Sequence, residues 1–487
     1  MTRPRLEPGA LIIGGAALVI AIGFGILSSA RTEASLVLLT VVVVTALALS
    51  APLGALALLL LAVTLVPFPI QNQFALLGGT GVPGLLVVDL LLILSVARVT
   101  LRFYARRALP EPALLAYVLL FVVGAQLVHG VAVGAAVGDA GTEARNVVNA
   151  IAGFLLAIPV LEDPARRARL PAVLLATGLC VGAWGLGQWL LDMPFNGSDF
   201  GVREGDFGTD SGRGQLQGGL YLYAAAVVLA FAALVSGAIT RPWPRALTCV
   251  ALATNAVCLL LTYERTFWLA AVLGCVFVAL RSPRQVRWRA VVLASVGVVT
   301  LVAGLAAVAP VSLQTALERG SSVTEVHTEN SGKYRVVESQ EALKPIVARP
   351  IDGSGFGATI TWEPPEFRGK LVTEDFIHNG YLWLAWKAGV LFAALWVGLI
   401  VLSVLRRPPA DSHPLVGILR VAAQASLLGL LLINVTFPSF NALSVAAGTG
   451  VLVALCWIPG RLDQTSRASE ERAPASGEHA SVPLELR

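Results

Sequence analysis

Apolar runs of roughly 17 to 25 residues follow one another from about Ala10 almost to the end of the chain. Each is long enough to cross a bilayer as a helix, and in lipid a helix satisfies its own backbone N–H and C=O groups. Of the 487 residues, 56% are hydrophobic and only 13% are charged, where a soluble protein would carry about a quarter charged. The fold class expected is therefore an all-α polytopic membrane protein.

The runs number about 14. They cover 10–28, 35–50, 53–68, 84–101, 113–133, 146–161, 170–191, 216–238, 246–263, 266–280, 290–310, 379–404, 415–435 and 441–458. The first follows Arg3 and Arg5 and is read as a retained span rather than a signal peptide, because it is long for one and more spans follow at once. With the N-terminus in the cytoplasm, the cytoplasmic loops include RFYARR (102–107), ARRAR (165–169), RPWPR (241–245), RSPRQVRWR (281–289) and LRRPP (405–409). Arginine is dense in every one, as the positive-inside rule requires. The opposite loops hold only the isolated Arg31, Arg145, Arg203, Arg213 and Arg265. The net charge of +5 thus reports topology and gives no reason to expect nucleic acid as a partner.

Two external segments interrupt the spans. One, 192–215, is rich in Gly and Asp; the other, 311–378, is too long for a plain connector and so is expected to be functional or disordered. Within the second, 333–350 reads as an amphipathic helix ending before Pro350, and 351–360 as a glycine-rich turn. The organisation expected is 1–310 with eleven spans, 311–378 as a long periplasmic loop containing short helices, 379–458 with three spans, and 459–487 as a disordered cytoplasmic tail. The cysteines Cys180, Cys249, Cys258, Cys275 and Cys456 lie in apolar runs without metal-ligand spacing, and read as small buried hydrophobes.

Ionisable residues beside spans are costly and start as functional candidates. Arg265, in LLLTYERTFWLAA, occupies a near-loopless junction on the side that should lack positive charge; Glu264 beside it leaves a salt-bridge role open. Arg213 precedes the eighth run, and Arg335 opens the amphipathic helix. Each is ambiguous alone, but arginines converging at a membrane surface suit a diphosphate, because guanidinium forks bind its oxygens bidentately. His378, in EDFIHNGYLWLAWKAG, offers different chemistry: an imidazole can accept a proton at neutral pH, and a guanidinium cannot. His327 in the same segment shows that a histidine there is not diagnostic, and a structural interfacial histidine stays open. Asn379 and Tyr381 read as helix-capping and interfacial residues. Asp199, Glu204, Asp206 and Asp210 read as a solvated loop rather than a metal site, and the sequence has no P-loop, dinucleotide fingerprint or zinc spacing, so neither cofactor nor metal is expected.

The order of these features resembles the O-antigen ligase / O-antigen polymerase family of bacterial inner-membrane proteins, which has a glycosyltransferase-C-like helical fold. The likeness rests on Arg335, loosely Glu338, then Ala342, Leu343, Pro350, Gly353, Gly355 and Gly357, followed by His378, Asn379, Tyr381 and Leu382. It spans about residues 200 to 440. The resemblance implies an inverting, metal-independent enzyme at the periplasmic face of the inner membrane. Such an enzyme moves a glycan from an undecaprenyl-diphosphate carrier to an acceptor hydroxyl of a glycan or lipid-glycan. Arginines matching Arg213 and Arg265 hold the diphosphate in that family, and the histidine matching His378 activates the acceptor. The chain departs from the pattern at Glu264, where a small hydroxyl residue is usual, and after Arg213, where Gln-Leu-Gln-Gly-Gly replaces a Pro-Asn-containing run. A transporter or flippase of lipid-linked or anionic substrates is the alternative, with a cell-wall scaffold as a third reading. A transporter would place its arginines in a midplane cavity beside paired broken helices.

Overall fold

The computed structural model describes residues 50–65, 87–106, 111–190, 220–308, 310, 314, 330–364, 369–407 and 413–457. The expected run at 10–28, all but the last residue of the run at 35–50, Arg213 and the rest of 192–215, His327, and the tail from 459 onward lie outside the described residues. The described chain forms α1 (Pro52–Leu65), α2 (Val87–Arg106), α3 (Glu111–Ala132), α4 (Val137–Glu162), α5 (Pro164–Leu190), α6 (Leu220–Ser236) and α7 (Pro242–Leu261). Then come α8 (Arg265–Arg281), α9 (Arg284–Val308), α10 (Asn330–Ala348), β1 (Ile360–Trp362), β2 (Val372–Glu374), α11 (Gly380–Ala388), α12 (Val390–Leu405), α13 (Pro414–Ile433), a 3-10 turn (Ser439–Asn441) and α14 (Leu443–Trp457). Among the described residues, six helices are long and apolar enough to cross a membrane, and α1, α6, α12 and α14 are shorter apolar helices. The protein is a helical, multi-pass membrane protein.

Small residues let these helices approach closely, as membrane packing requires. α14 lies along α4, where a side chain on Gly450 would overlap the carbonyl of Ala150, and one on Gly153 would come within 2.5 Å of the carbonyl of Ala447. α8 and α13 meet through Gly429 against Ala270. Arginines secure the ends of α2, α4, α5, α8 and α9. Arg102 pairs with Glu162 at 3.6 Å and Arg166 with Asp163 at 3.4 Å, while Arg287 donates to the carbonyls of Ser282 and Leu280 that end α8. Arg145 pairs with Asp89 of α2 at 3.2 Å.

Three expectations need correction. The run at 379–404 is not one span. It breaks at Gly389, whose φ of 85° is left-handed and whose Cα faces the carbonyl of Ile351, so α11 and α12 are separate helices. The run at 146–161 is the latter part of a longer helix, because Asp139, Thr142, Glu143 and Arg145 lower its hydropathy without ending it. The long segment does not hold short helices alone: among its described residues β1 and β2 pair antiparallel, with Thr361 opposite Thr373, and form a two-stranded sheet beside the 19-residue helix α10. Of the cysteines, Cys258 and Cys456 are buried, but Cys180 and Cys249 lie on exposed helix surface.

Candidate active site

α10 shows why its residues form a helix here. Glu338, Ala342 and Ile346 recur at a spacing of four, are all buried, and so make one face of the helix. Tyr334, one turn before Glu338, presents its ring edge to Trp362 and to His378, with centroids 4.8 Å and 6.0 Å apart. Its hydroxyl donates to Glu374 at 2.7 Å, and Trp362 Nε1 donates to the other oxygen of Glu374 at 3.0 Å. The β-hairpin is thereby stitched to α10 immediately before the chain reaches His378.

His378 is fixed by Glu338 at two points. Its backbone N–H donates to Glu338 Oε2 at 3.0 Å, and its Nδ1 lies 3.0 Å from Oε1 and 3.1 Å from Oε2. An ionised carboxylate only accepts, so Nδ1 carries the proton and Nε2 presents the lone pair. The Glu338 side chain is 1% exposed, whereas that of His378 is 29% exposed. A sealed carboxylate thus orients a ring that remains part-exposed. Phe376 flanks the same ring at 5.4 Å.

Past the histidine, Asn379 is the N-cap of α11: its Oδ1 accepts from the N–H groups of Tyr381 at 3.0 Å and Leu382 at 3.1 Å. α11 starts hard against the end of α13. Gly380 N–H donates to the Asn434 carbonyl at 2.8 Å, Tyr381 Oη donates to the Leu431 carbonyl, and a side chain at Gly380 would overlap Asn434 Oδ1. Asn434 is itself fully buried and accepts from Phe440 N–H at 3.3 Å.

The same turn reaches the Arg265 hairpin. Thr436 Oγ1 is 2.8 Å from Thr266 Oγ1, and Phe437 packs edge-on against Phe267 at 5.5 Å. The hairpin is tight because Tyr263 takes the left-handed conformation, with φ of 54°, the only non-glycine residue to do so among the described residues. Thr262 N–H and Tyr263 N–H close onto Cys258 and Leu260, so Arg265 falls at the first position of α8, at the positive end of that helix. Residues 434–437 therefore join the arginine hairpin and the histidine loop at one end of the helical assembly. Arg335 sits one turn before Glu338 on α10, and its buried Nε meets no hydrogen-bond partner among the described residues.

The glycines occupy a different part of this end. Gly353, Gly355 and Gly357 all have positive φ, 66°, 84° and 79°, and the turn they form lies on α3 and α4. A side chain at Gly355 would overlap Gly130, and one at Gly357 would stand 2.7 Å from Ala140 N, so the close approach requires glycine. Glu143 of α4 accepts Gly357 N–H at 2.7 Å and the Lys387 ammonium at 2.5 Å.

Residues 250–397 match the family model described as O-antigen ligase. This stretch is similar to the O-antigen ligase family. It runs from the middle of α7 into α12, and carries Arg265, Arg335, Glu338, the glycine turn and His378. A search of curated proteins finds none that matches the chain. The family that this stretch resembles is one of membrane enzymes of the glycan-ligating kind. Sequence reading named Arg265 and His378 within it but gave Glu338 only a loose place in a pattern, and missed Asn434, Glu143 and Lys387. The signal for the last two was present: ionisable residues next to long apolar stretches.

Proposed function

We propose that the protein transfers or polymerises a glycan from an undecaprenyl-diphosphate carrier onto an acceptor hydroxyl, without metal and with inversion, at the external face of the bacterial inner membrane. The observation that carries this reading is the Glu338–His378 pair, a buried carboxylate holding a half-exposed imidazole so that Nε2 is its free base. His378 Nε2 takes the proton from the acceptor hydroxyl as that oxygen attacks the anomeric carbon of the donor sugar. The bond from that carbon to the diphosphate oxygen breaks, and undecaprenyl diphosphate leaves with both electrons. Attack from the face opposite the leaving group inverts the centre. Glu338 stabilises the imidazolium that forms and keeps the ring in one orientation.

Arg265, Arg335 and, from outside the described residues, Arg213 take the charge that builds on the diphosphate. Two features support that role. Arg265 is tied through Thr266 and Thr436 to the turn that also seats α11, and the buried Arg335 Nε lies one turn from the histidine's partner. Asn379 and Tyr381 act as supports of the histidine loop. Gly353, Gly355 and Gly357 support it from the far end of α11. Membrane lipid surrounds the spans, and the acceptor is a glycan or lipid-glycan.

The test is the lipid fraction of cells lacking the protein. A glycan linked to undecaprenyl diphosphate should accumulate, and the wild-type gene should clear it. External cysteine labelling at position 379, in a cysteine-free background, should succeed in intact cells. A site that reacts only after the cytoplasm is opened, or a lipid pool that stays unchanged, contradicts the reading.

A further inference from the structure

The transfer chemistry gives no task to the ion pair between Glu143 of α4 and Lys387 of α11. Lys387 is fully buried and Glu143 nearly so, with side-chain exposures of 0% and 5%. Lys387 Nζ donates to Glu143 Oε1 and to the Ala358 carbonyl at 2.6 Å, while its ammonium lies 4.2 Å from the centre of the Trp386 ring. Glu143 Oε2 accepts Gly357 N–H at 2.7 Å. Asp139 and Asp375 add negative charge within electrostatic reach of Lys387, and Asp375 belongs to the histidine loop. Burying two charges costs desolvation, and a well-packed apolar pair is often as stable or more so. The pair's stability value therefore does not account for it, and its directional bonds remain.

Those bonds meet at the far ends of the two helices that build the site. α11 begins two residues after His378, and Lys387 is next to its last residue. The turn that follows α10 caps α11: Ser354 N–H donates to the Trp386 carbonyl at 2.8 Å and Gly355 N–H to the Lys387 carbonyl at 2.9 Å. Val390 N–H, at the start of α12, donates to the Pro350 carbonyl at 2.8 Å. α10, which carries Glu338, runs straight into this turn, so where the turn sits sets where α10 ends. Glu143 grips the turn through Gly357 and α11 through Lys387, from a helix long enough to span the membrane.

We propose that Glu143 and Lys387 are positioning residues, pinning α10 and α11 to α4 and thereby setting the register between Glu338 and His378. The kinetic part of this claim rests on the transfer reading above. The exchange measurement described below does not.

The test uses the full chain in nanodiscs with the Glu143→Leu/Lys387→Met double variant, which removes both charges together. The probe is the lipid-linked glycan pool extracted from cells lacking the protein. The expected result is native thermal stability and faster amide exchange both at 353–358 and at 378–382. It also includes a kcat lowered about tenfold or more with KM unchanged, since a shift of about 1 Å in a reacting group costs on that order. Native exchange at 378–382 together with native kcat overturns the proposal, as does faster exchange confined to 353–358. If the double variant does not fold, Glu143→Gln decides by the same two readouts: it keeps an oxygen for Gly357 N–H and loses the charge. His378→Ala, run alongside, separates the two failures. Transfer by that variant refutes the base, while the exchange pattern still decides the positioning.

Discussion

Glu338 and Glu143 are buried carboxylates built on one plan and put to different use. Each accepts one backbone N–H, from His378 and Gly357, and one side-chain donor, His378 Nδ1 and Lys387 Nζ. What differs is the far side of the side-chain partner. His378 keeps 29% of its side chain exposed and Lys387 keeps none. A sealed carboxylate with an open partner makes an oriented base. A sealed carboxylate with a sealed partner makes a fixed point. The first lies outside the apolar runs, and the second ties the apolar helix α4 to α11 and to the turn after α10, so the proposed base stands at one end of a chain of contacts that begins in α4.

The largest separation between the two should come from truncating each carboxylate. Glu143→Ala leaves a buried ammonium unpaired and should destabilise the protein by about 3–5 kcal/mol, read as lost thermal stability in detergent. Glu338→Ala should retain the fold and lose transfer. Equal stability losses would erase the distinction. Next in size is Arg265→Lys, expected to lower kcat about a hundredfold, because an ammonium cannot reproduce a bidentate fork on a developing anion. Near-wild-type turnover there would reduce Arg265 to a topological arginine. Glu338→Gln should cost about ten- to a hundredfold in kcat with little change in melting temperature, as for other groups that orient a reactive imidazole. Smallest is Asn379→Ala. Loss of its cap should cost about 1 kcal/mol of stability and a few-fold in rate, measured on the same preparation.

Much of this was legible in the sequence, and what was missed has a physical reason. Hydropathy finds long helices with few charges, so the spans expected at 113–133 and 415–435 match α3 and α13 closely, and 170–191 covers all but the first six residues of α5. It fails where polar residues enter a helix: α4 begins nine residues before the apolar run at 146, carrying Glu143 with it. It also fails at Gly389, where nothing in an apolar run signals a left-handed turn that contacts from Ile351 and Gly353 impose. His378 and Arg265 stood out as candidates because ionisable groups beside spans are costly. Glu338 was underweighted because its partner is 40 residues away and the pairing exists only once the hairpin folds back onto α10. The link from Arg265 to His378 runs through Asn434 and Thr436, whose neutral side chains give no sequence cue.

The central claim is that His378 Nε2, oriented by Glu338, removes the acceptor proton. Single-turnover transfer measures this most directly, with purified His378→Ala protein reconstituted beside wild type and given the lipid-linked glycan pool from cells lacking the protein. The variant should insert and fold as wild type does, yet release undecaprenyl diphosphate at least about a hundredfold more slowly. Release at the wild-type rate would contradict the account.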